Sequence, residues 1–297
     1  MRDLRDSSSW SSDTLLYVKE YQNNQFLSFL YENNLGQKLL PLITSKGLTT
    51  LMGKFYDSKL SKKIIPGFIK KNQMDMKPYK KKEYTSFNDF FTREKKKIVF
   101  SNHSGDFCSP CDAYLSAYRI NFQSKFNIKG LTYSLEDLIL NHGLAKEYND
   151  GLLYVFRLIP THYHRYHYFD DGKLLFAKKI KGAFHTVRDV ALKKTHVYLE
   201  NTREYSFLET KNFKDVLYIE VGALGVGKIA NHYQKEFKRG EEKGMFFFGG
   251  STVILCFMKD TLKEPVKLLE KSLNGEEAVV KCGQKIGEIK WIKKDLL

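Results

Sequence analysis

The sequence predicts an α+β protein, with N-terminal amphipathic helices followed by a mainly antiparallel β-sandwich or barrel-like body. Two observations predict this class. From about residue 13 to residue 71, apolar clusters recur among polar residues at helical spacing, with turn residues between them. From residue 113 onward, apolar residues instead alternate with a period of two, in short runs bounded by turn residues.

Composition agrees with a folded chain of one large domain or two small ones. The 297 residues are 42% hydrophobic and 14% aromatic, which supplies a substantial core and excludes a disordered or fibrous chain. The 49 Lys and Arg residues against 34 Asp and Glu give a net charge of +15. This surplus favours an anionic partner, and both nucleic acid and a negatively charged lipid surface satisfy it.

The leading helices end in a lysine-rich segment, which we call the basic belt. Such a belt forms either a solvated face or a docking surface for an acidic membrane. No run approaches the roughly 20 apolar residues that cross a bilayer, and the first ten residues lack the apolar stretch of a secretory signal. The nine lysines of the belt are Lys59, Lys62, Lys63, Lys70, Lys71, Lys77, Lys80, Lys81 and Lys82.

Serine caps predict two short helices after the belt. Ser86 and Asp89 have the spacing of a capping box, and Ser134 and Asp137 repeat it. The runs with a period of two predict strands. These runs are 113–120, 152–159, 174–180, 217–221, 253–258, 278–282 and 286–292.

Two motifs are similar to known sites but incomplete. Residues 222–228 match a phosphate-binding loop up to its last position, where Ile229 replaces the hydroxyl residue that would hold magnesium. We interpret these glycines as a bulge or a close backbone approach between strands. Cys108 and Cys111 have the spacing of a zinc or redox pair, but the other two cysteines are isolated. Buried thiols in a reducing compartment are therefore favoured, and no metal is predicted.

Three histidines lie within six residues, directly after the predicted strand at 152–159. His162, His164 and His167 share this segment with Arg165. The segment holds no carboxylate or cysteine, and the arginine would repel a cation. Acid–base chemistry is therefore favoured over metal binding.

The most informative stretch is the uncharged run at 244–258, which is too short to span a membrane. Its plain interpretation is a buried hairpin with Gly249 and Gly250 at the bend. Ser251 follows these two glycines in apolar surroundings. There the backbone can twist, and the serine hydroxyl can reach the carbonyl of Gly250.

Six short motifs follow one another over most of the chain. They are Phe-Asn-Asp-Phe-Phe-Thr-Arg at 87–93, Ser-Pro-Cys-Asp at 109–112, Lys-Gly-Leu-Thr-Tyr-Ser-Leu-Glu-Asp-Leu at 129–138, Tyr-His-Arg-Tyr-His at 163–167, Val-Gly-Ala-Leu-Gly-Val-Gly-Lys-Ile at 221–229 and Gly-Gly-Ser-Thr at 249–252. In these motifs and their order, the sequence resembles the phosphatidylserine decarboxylase proenzymes of the bacterial, pyruvoyl-dependent type. The Gly-Ser-Thr and His-Arg-x-His elements together are the most specific part of this resemblance.

The resemblance implies a proenzyme that cuts its own backbone between Gly250 and Ser251. The products would be a β chain, 1–250, and an α chain, 251–297. Ser251 at the new α-chain terminus would become a covalent pyruvoyl group, the cofactor of the mature enzyme. That group would form a Schiff base with the amine of the lipid headgroup, and loss of carbon dioxide would give phosphatidylethanolamine.

The resemblance also implies roles for four residues. Asp112, His167 and Ser251 would form the self-cleavage triad, and His164 would assist the later decarboxylation. These residue types suit the chemistry, because an imidazole can take a serine proton and a carboxylate can hold the imidazole in one tautomer.

The resemblance further implies a domain organisation and a location. Residues 1–85 would form a helical membrane-associating region, and residues 86–297 would form the catalytic β-rich domain. The protein would be peripheral, on the cytoplasmic side of the cell membrane, where it would meet phosphatidylserine in an anionic bilayer. A homodimer of αβ units is compatible with this arrangement, and no nucleic acid is expected.

Two other classes of function stay open from the sequence. A serine hydrolase would use the same Ser251, His167 and Asp112, although the Gly-x-Ser-x-Gly elbow is absent. It would also keep one intact chain of 34.7 kDa. A basic nucleic-acid-binding protein is supported by net charge alone, because the aromatic residues lie in apolar strands and not between basic residues.

Overall fold

The computed structural model describes residues 12–19, 25–80, 83–224, 228–249 and 251–290. Some residues of the sequence predictions therefore lie outside the described chain. These are Lys81 and Lys82 of the basic belt, residues 225–227 of the glycine-rich loop, and Gly250. In the ranges that the structure describes, no helix combines the length and the apolar character needed to cross a membrane.

Helices are concentrated in the first part of the chain. In chain order they are α1 (Gln25–Glu32), α2 (Asn34–Ile43), α3 (Lys46–Asp57), α4 (Ile65–Lys71), α5 (Phe87–Phe91), α6 (Leu135–Ile139), α7 (His142–Lys146), α8 (Asp189–Leu192), α9 (Val197–Glu200) and α10 (Val266–Leu273). Short 3₁₀ helices occupy Ser12–Thr14 and Lys59–Ile64.

The described residues also form strands in two-, three- and nine-stranded sheets. They are β1 (Leu16–Val18), β2 (Asp106–Cys108), β3 (Ala113–Arg119), β4 (Lys125–Ile128), β5 (Leu131–Ser134), β6 (Leu152–Leu158), β7 (Arg165–His167), β8 (Gly172–Ile180), β9 (Arg203–Thr210), β10 (Asp215–Gly222), β11 (Ile229–Asn231), β12 (Glu236–Phe237), β13 (Glu242–Phe246), β14 (Ser251–Phe257), β15 (Glu277–Val280) and β16 (Lys285–Glu288).

A nine-stranded antiparallel sheet lies at the centre, in the order β1-β15-β3-β6-β14-β10-β9-β8-β12. Its middle strands, β6, β14 and β10, are near-continuous apolar runs because both of their faces are buried. Successive side chains point to opposite faces. Tyr154 and Phe156 therefore join one core, while Leu153 and Val155 join the other.

Each face of the large sheet is covered by a different layer. One core lies under the three-stranded sheet β11-β13-β7, the β2–β16 pair and α10. The opposite core lies under α1 and α6 to α9. This layering confirms the predicted α+β class with leading helices. The large sheet is open in the described residues, with β1 and β12 at its edges, so the β body is not a closed barrel.

Seven strands predicted from the sequence are present, as β3, β6, β8, β10, β14, β15 and β16. The last ends at Glu288, and residues 291 and 292 of its predicted range lie outside the described chain. A strand at Leu16–Val18 was not predicted, because that segment was assigned to the leading helices. It pairs with β15, Leu16 opposite Val279. A strand of three residues forms because a free sheet edge offers it a pairing partner, and not because of its own sequence pattern.

The predicted hairpin at 244–258 is wrong. β13 pairs with β11 and β7 in the small sheet, whereas β14 pairs with β6 and β10 in the large sheet. The chain therefore crosses from the small sheet to the large sheet between the end of β13 and the start of β14. A hairpin and a crossing have the same apolar pattern, but the crossing gives each strand two partners and leaves neither with an open edge.

An aromatic cluster joins α3, α4 and α5 to the crossing. Its rings belong to Tyr56, Phe68, Tyr84, Phe87, Phe90, Phe91 and Phe248. Both predicted helix caps are confirmed, because Ser86 Oγ accepts from the Asp89 N–H and Ser134 Oγ accepts from the Asp137 N–H. The cluster contains residues from both sides of the predicted 85/86 boundary, and that boundary stays a prediction.

Candidate active site

Ser251 begins β14, in the middle of the large sheet and fully buried. Its Cα lies opposite Leu158 of β6 and Gly222 of β10. Its Oγ has no hydrogen-bond partner among the described residues, and the same holds for Oγ1 of Thr252. An unsatisfied buried hydroxyl costs about 1–3 kcal/mol, so such groups are uncommon unless they serve a purpose.

Phe248 anchors the chain just before Ser251. Its N–H donates to Oδ1 of the buried Asn88 (2.8 Å). Its ring packs against the rings of Tyr56, Phe87 and Phe91, with centroid distances of 4.3, 4.9 and 5.1 Å. Gly249 follows with a φ of 143°, a conformation that side-chain-bearing residues rarely adopt. Position 249 therefore requires a glycine.

His164 lies at the end of the loop that connects β6 to β7. Its carbonyl accepts from the Phe246 N–H of β13 (2.9 Å), which ties it to the strand leading to the crossing. Its Nδ1 lies 2.9 Å from the carbonyl oxygen of His162. Because a carbonyl can only accept, Nδ1 carries the proton, and in the neutral ring Nε2 has the lone pair. That Nε2 is buried and has no partner in the described structure.

The surroundings of His164 keep its ring neutral. Burial, the charge of Arg93 and the neighbouring His162 together hold the pKa of His164 well below its ordinary value. The ring of Phe91 lies against the imidazole, with a centroid distance of 4.0 Å. The result is a neutral imidazole with an unpaired basic nitrogen.

His167 lies in β7 and has the same tautomer. Its Nδ1 is 3.0 Å from the carbonyl oxygen of Gly240, so this nitrogen donates. Its Nε2 lies 3.4 Å from the hydroxyl of Tyr163, which can donate to it. Burial lowers the pKa of His167, while the bond to Gly240 opposes that shift.

Asp112 is buried beside a lysine. Its Oδ1 accepts from Lys95 Nζ (2.6 Å) and from the N–H of Cys282 (2.8 Å). Within the described residues no hydrogen bond joins Asp112 to His167. The two are linked indirectly, since Lys95 Nζ lies 4.9 Å from the ring centroid of Tyr163, whose hydroxyl faces His167. Contact of the carboxylate with the imidazole stays a prediction.

Several residues that shape the site were not singled out from the sequence. Asn88 and Arg93 belong to the Phe-Asn-Asp-Phe-Phe-Thr-Arg motif, which was the available signal. Lys95 carried no signal beyond its charge. Gly240 acts through its backbone carbonyl, and a carbonyl is common to all residues, so no sequence pattern could reveal it.

The cysteines Cys108, Cys111, Cys256 and Cys282 are free and buried, as favoured from the sequence. In the part of the chain that the structure describes, no group of three or more His, Cys, Asp or Glu side chains is arranged to hold a metal ion.

Comparison with known proteins identifies the family. A family model described as phosphatidylserine decarboxylase matches residues 87–288, a range that contains all six motifs. The chain belongs to the phosphatidylserine decarboxylase family. The matched range begins at α5 and includes Asp112, His164, His167 and Ser251.

Three relatives extend this match to most of the chain. The phosphatidylserine decarboxylase proenzyme 2 of Clostridium acetobutylicum is 46% identical over 277 residues, which cover 92% of this chain and 95% of that protein. The phosphatidylserine decarboxylase proenzyme of Ruminiclostridium cellulolyticum is 39% identical, with 91% and 93% covered. That of Clostridium beijerinckii is 40% identical, with 89% and 92% covered. The resemblance read from the motifs is therefore confirmed.

Proposed function

We propose that this chain is a self-processing, pyruvoyl-dependent enzyme that converts phosphatidylserine to phosphatidylethanolamine and carbon dioxide. One observation carries the proposal: two buried polar atoms without partners in the described residues, Ser251 Oγ and His164 Nε2, flank the crossing between the sheets. Family membership supports the reaction, and the proenzyme names of the relatives support processing.

The residues at the crossing fit a pyruvoyl group made from Ser251. Among the described residues the buried serine hydroxyl has no hydrogen-bond partner to lose, and β14 is held on both sides by β6 and β10. A cut before Ser251 would therefore leave the new terminus in the sheet. The group supplies a carbonyl that binds the substrate amine and accepts the electron pair left behind as carbon dioxide departs.

Self-cleavage uses only atoms of the chain and one water molecule. Ser251 Oγ attacks the carbonyl carbon of Gly250, the C–N bond breaks, and the serine nitrogen takes a proton, which leaves an ester. Loss of the Ser251 α-proton then breaks the Cβ–O bond and releases the carboxylate of the β chain. The dehydroalanine residue that remains is hydrolysed to the ketone and ammonia.

The two histidines have separate roles. His167 takes the serine proton at Nε2, the nitrogen left basic by the Gly240 carbonyl, and to do so it exchanges the Tyr163 hydroxyl for that of Ser251. Asp112 completes the proposed triad and stabilises the protonated imidazole. His164 moves a proton at Nε2 during decarboxylation, and its burial excludes competing water.

Membrane contact is proposed for the leading helices. On α2, Leu35, Leu39 and Leu42 share one helix face and are 60%, 41% and 66% exposed. Phe26, Leu51, Phe55 and Leu60 are exposed as well. The lysines of the basic belt follow, and a basic residue contributes about 1 kcal/mol near an anionic surface. Within the belt, Lys62 and Lys80 already pair with Glu83 and Glu94. Together these groups support peripheral binding to the cytoplasmic face of a membrane, where phosphatidylserine is present.

Denaturing mass spectrometry of the purified chain tests the processing step. The wild type should give two chains, the smaller one blocked at its N-terminus, and Ser251→Ala should give one chain of 34.7 kDa. The matched control is Thr252→Val, which removes the neighbouring buried hydroxyl and should still give two chains. An intact wild-type chain that releases carbon dioxide from phosphatidylserine would overturn the proposal.

The same measurement separates the other roles. His167→Ala and Asp112→Asn should accumulate the uncut precursor, because proton removal from Ser251 fails. His164→Ala should be cut into two chains and lose lipid turnover. The reverse pattern would exchange the two histidine assignments without affecting the proposed reaction.

Vesicle flotation tests the membrane contact. The chain should float with phosphatidylserine-containing vesicles and much less with neutral ones, and Leu35→Ser with Leu42→Ser should weaken the association at unchanged stability. Leu273→Ser in α10, at a leucine that is 75% exposed, is the matched control and should have no effect. Equal loss of binding in both variants would contradict a contact specific to the leading helices.

A further inference from the structure

Arg93 follows α5 and is one of the most deeply buried arginines, at 2% exposure. Its Nη2 donates to the carbonyl oxygens of Thr161 (2.8 Å) and His162 (3.0 Å) in the loop between β6 and β7. In the described residues, no carboxylate lies within ion-pair distance of its guanidinium. Burial of a cation without a counter-ion is costly, and the carbonyl oxygens of the β6–β7 loop supply hydrogen bonds that offset this cost.

The His162 carbonyl is shared by two donors. Arg93 Nη2 and His164 Nδ1 both donate to this oxygen, at 3.0 and 2.9 Å. The arginine is itself held rigidly, with its Cζ 4.3 Å from the ring centroid of Tyr79 and 5.2 Å from that of Phe90. The carbonyl that orients His164 is therefore fixed by a group that cannot easily move.

Helix α5 controls the same histidine from a second side. Phe91, two residues before Arg93, places its ring against the His164 imidazole. The end of α5 thus determines both the plane of the ring and the position of the acceptor for its Nδ1 proton. The two nitrogens become distinct, with Nδ1 bound and Nε2 unpartnered in the described structure.

We propose that Arg93 is a positioning residue for His164: by clamping the Thr161 and His162 carbonyls, it holds the proton of that imidazole on Nδ1 and leaves Nε2 basic. The inference rests on the proposed role of His164 in decarboxylation only for its functional consequence. The tautomer itself can be measured without turnover.

Charge acts in the same direction as geometry. Burial, the Arg93 guanidinium and the His162 ring oppose a second proton on the His164 imidazole, and they outweigh the hydrogen bond to the His162 carbonyl, which favours that proton. The ring of Phe91 on α5 and the backbone of β13 supply no charge. Removal of the guanidinium should therefore make the protonated imidazole more accessible.

Nitrogen NMR of ¹⁵N-histidine-labelled precursor is the direct test. Ser251→Ala keeps the chain uncut, and His164→Gln in that background identifies the signals. We expect Nδ1 of His164 to carry the proton and the ring to stay neutral well below pH 6.5. In Arg93→Gln the proton should be shared between Nδ1 and Nε2, and the imidazole should titrate at higher pH. Arg93→Lys keeps the charge, so its tautomer ratio and titration should lie between those of the parent precursor and Arg93→Gln.

Arg203→Gln is the matched control. Arg203 is another buried arginine that donates to backbone carbonyls, those of Leu138 (2.7 Å) and Asp137 (2.8 Å). Its loss should lower stability and leave the His164 signals unchanged. Equal changes in both variants would reduce Arg93 to a general structural role.

Turnover of the processed enzyme gives the functional readout. Arg93→Lys should be cut into two chains and lose about tenfold or more in kcat at similar KM. The acid limb of its pH–activity profile should move to higher pH. A proton found on Nε2 of His164 in the precursor overturns the inference even if no Arg93 variant folds. If His164→Gln retains full turnover, the proposed role of His164 fails, and the NMR result still decides the inference.

Discussion

At the scale of single residues, backbone carbonyls set the chemistry of the two site histidines. The oxygens of His162 and Gly240 accept the Nδ1 protons of His164 and His167, so both rings present a basic Nε2. In many serine enzymes a carboxylate performs this task. Here Asp112 is engaged with Lys95 instead, which makes the carbonyls the groups that fix each tautomer.

Burial of these imidazoles predicts loss of stability in acid. Burial lowers the pKa of His162 to about 3 and also lowers the pKa values of His164 and His167. Just below about pH 6.5 the unfolded chain binds more protons at these rings than the folded chain does, so the free energy of unfolding falls as pH drops through that value. Each ring contributes a slope of up to about 1.4 kcal/mol per pH unit.

One buried carboxyl opposes this trend. Burial outweighs the attraction of Lys243 and raises the pKa of Glu220 to about 7. Its contribution to stability is present below the unfolded pKa and is lost as pH rises through 7. Because three rings outnumber one carboxyl, we expect net acid destabilisation between pH 7 and pH 5.

Urea unfolding of the Ser251→Ala precursor at several pH values measures this slope. His162→Gln should flatten it by up to about 1.4 kcal/mol per pH unit. The control is His142→Gln, at a solvent-exposed imidazole whose side chain is 59% exposed. An unchanged slope in His162→Gln would show that this ring is protonated equally in both states.

At the scale of elements, β13 positions the crossing that leads to Ser251. It lies between β11 and β7, and Gly244 is its point of closest approach. A Cβ at this position would lie 2.4 Å from the Ala230 carbonyl oxygen and 2.7 Å from the Tyr166 hydroxyl. Only a glycine therefore allows the three strands to pack at this spacing.

Gly244→Ala should displace β13 and slow self-cleavage. The overpacked site should cost about 1–3 kcal/mol of stability, and precursor should accumulate in a time course followed by denaturing electrophoresis. Gly67→Ala is the control, because a Cβ there meets nothing within 4 Å, and in helix α4 it should add about 0.5–1 kcal/mol. Cleavage of Gly244→Ala at the wild-type rate would show that the position of β13 does not control self-cleavage.

At the scale of the whole molecule, the proposed α chain is embedded in the β chain. Its strand β14 lies between β6 and β10, and β15 lies between β1 and β3. A buried ion pair spans the two parts, since Arg157 of β6 donates twice to Glu277 of β15, with Lys129 Nζ 3.6 Å away. Burial raises the pKa of Glu277, but the two cations outweigh it and the net pKa is lowered.

Glu277→Gln should destabilise the assembled molecule. Arg157 would lose the carboxylate that accepts its two hydrogen bonds, while Lys129 would keep its ion pair with Asp189. Breaking a buried ion pair from one side costs about 3–5 kcal/mol. The readout is the urea midpoint of the Ser251→Ala precursor, together with release of the smaller chain from the processed protein. Glu264→Gln removes another pair between the same two parts, Arg119 and Glu264, whose side chains are 61% and 47% exposed. That control should change stability by about 1 kcal/mol or less, and an equally small effect of Glu277→Gln would contradict the prediction.

Local sequence pattern was sufficient to predict the fold class, most of the central strands, both serine caps and the family. These features depend on local pattern, because a strand buried on both faces must be apolar throughout and a cap must bear a hydroxyl at a fixed spacing. The motif order was enough to single out Ser251, His164, His167 and Asp112 as the residues that our proposal uses.

The pairing of the strands and the atoms that orient the side chains depend instead on the folded chain, and local pattern does not predict them. The uncharged run at 244–258 is compatible with a hairpin, and the folded chain places its two strands in different sheets. The carbonyls of His162 and Gly240, the clamp of Arg93 and the short strand at Leu16–Val18 depend on contacts between distant segments. Backbone groups are the same in every residue, so their roles arise only when the fold brings particular partners together.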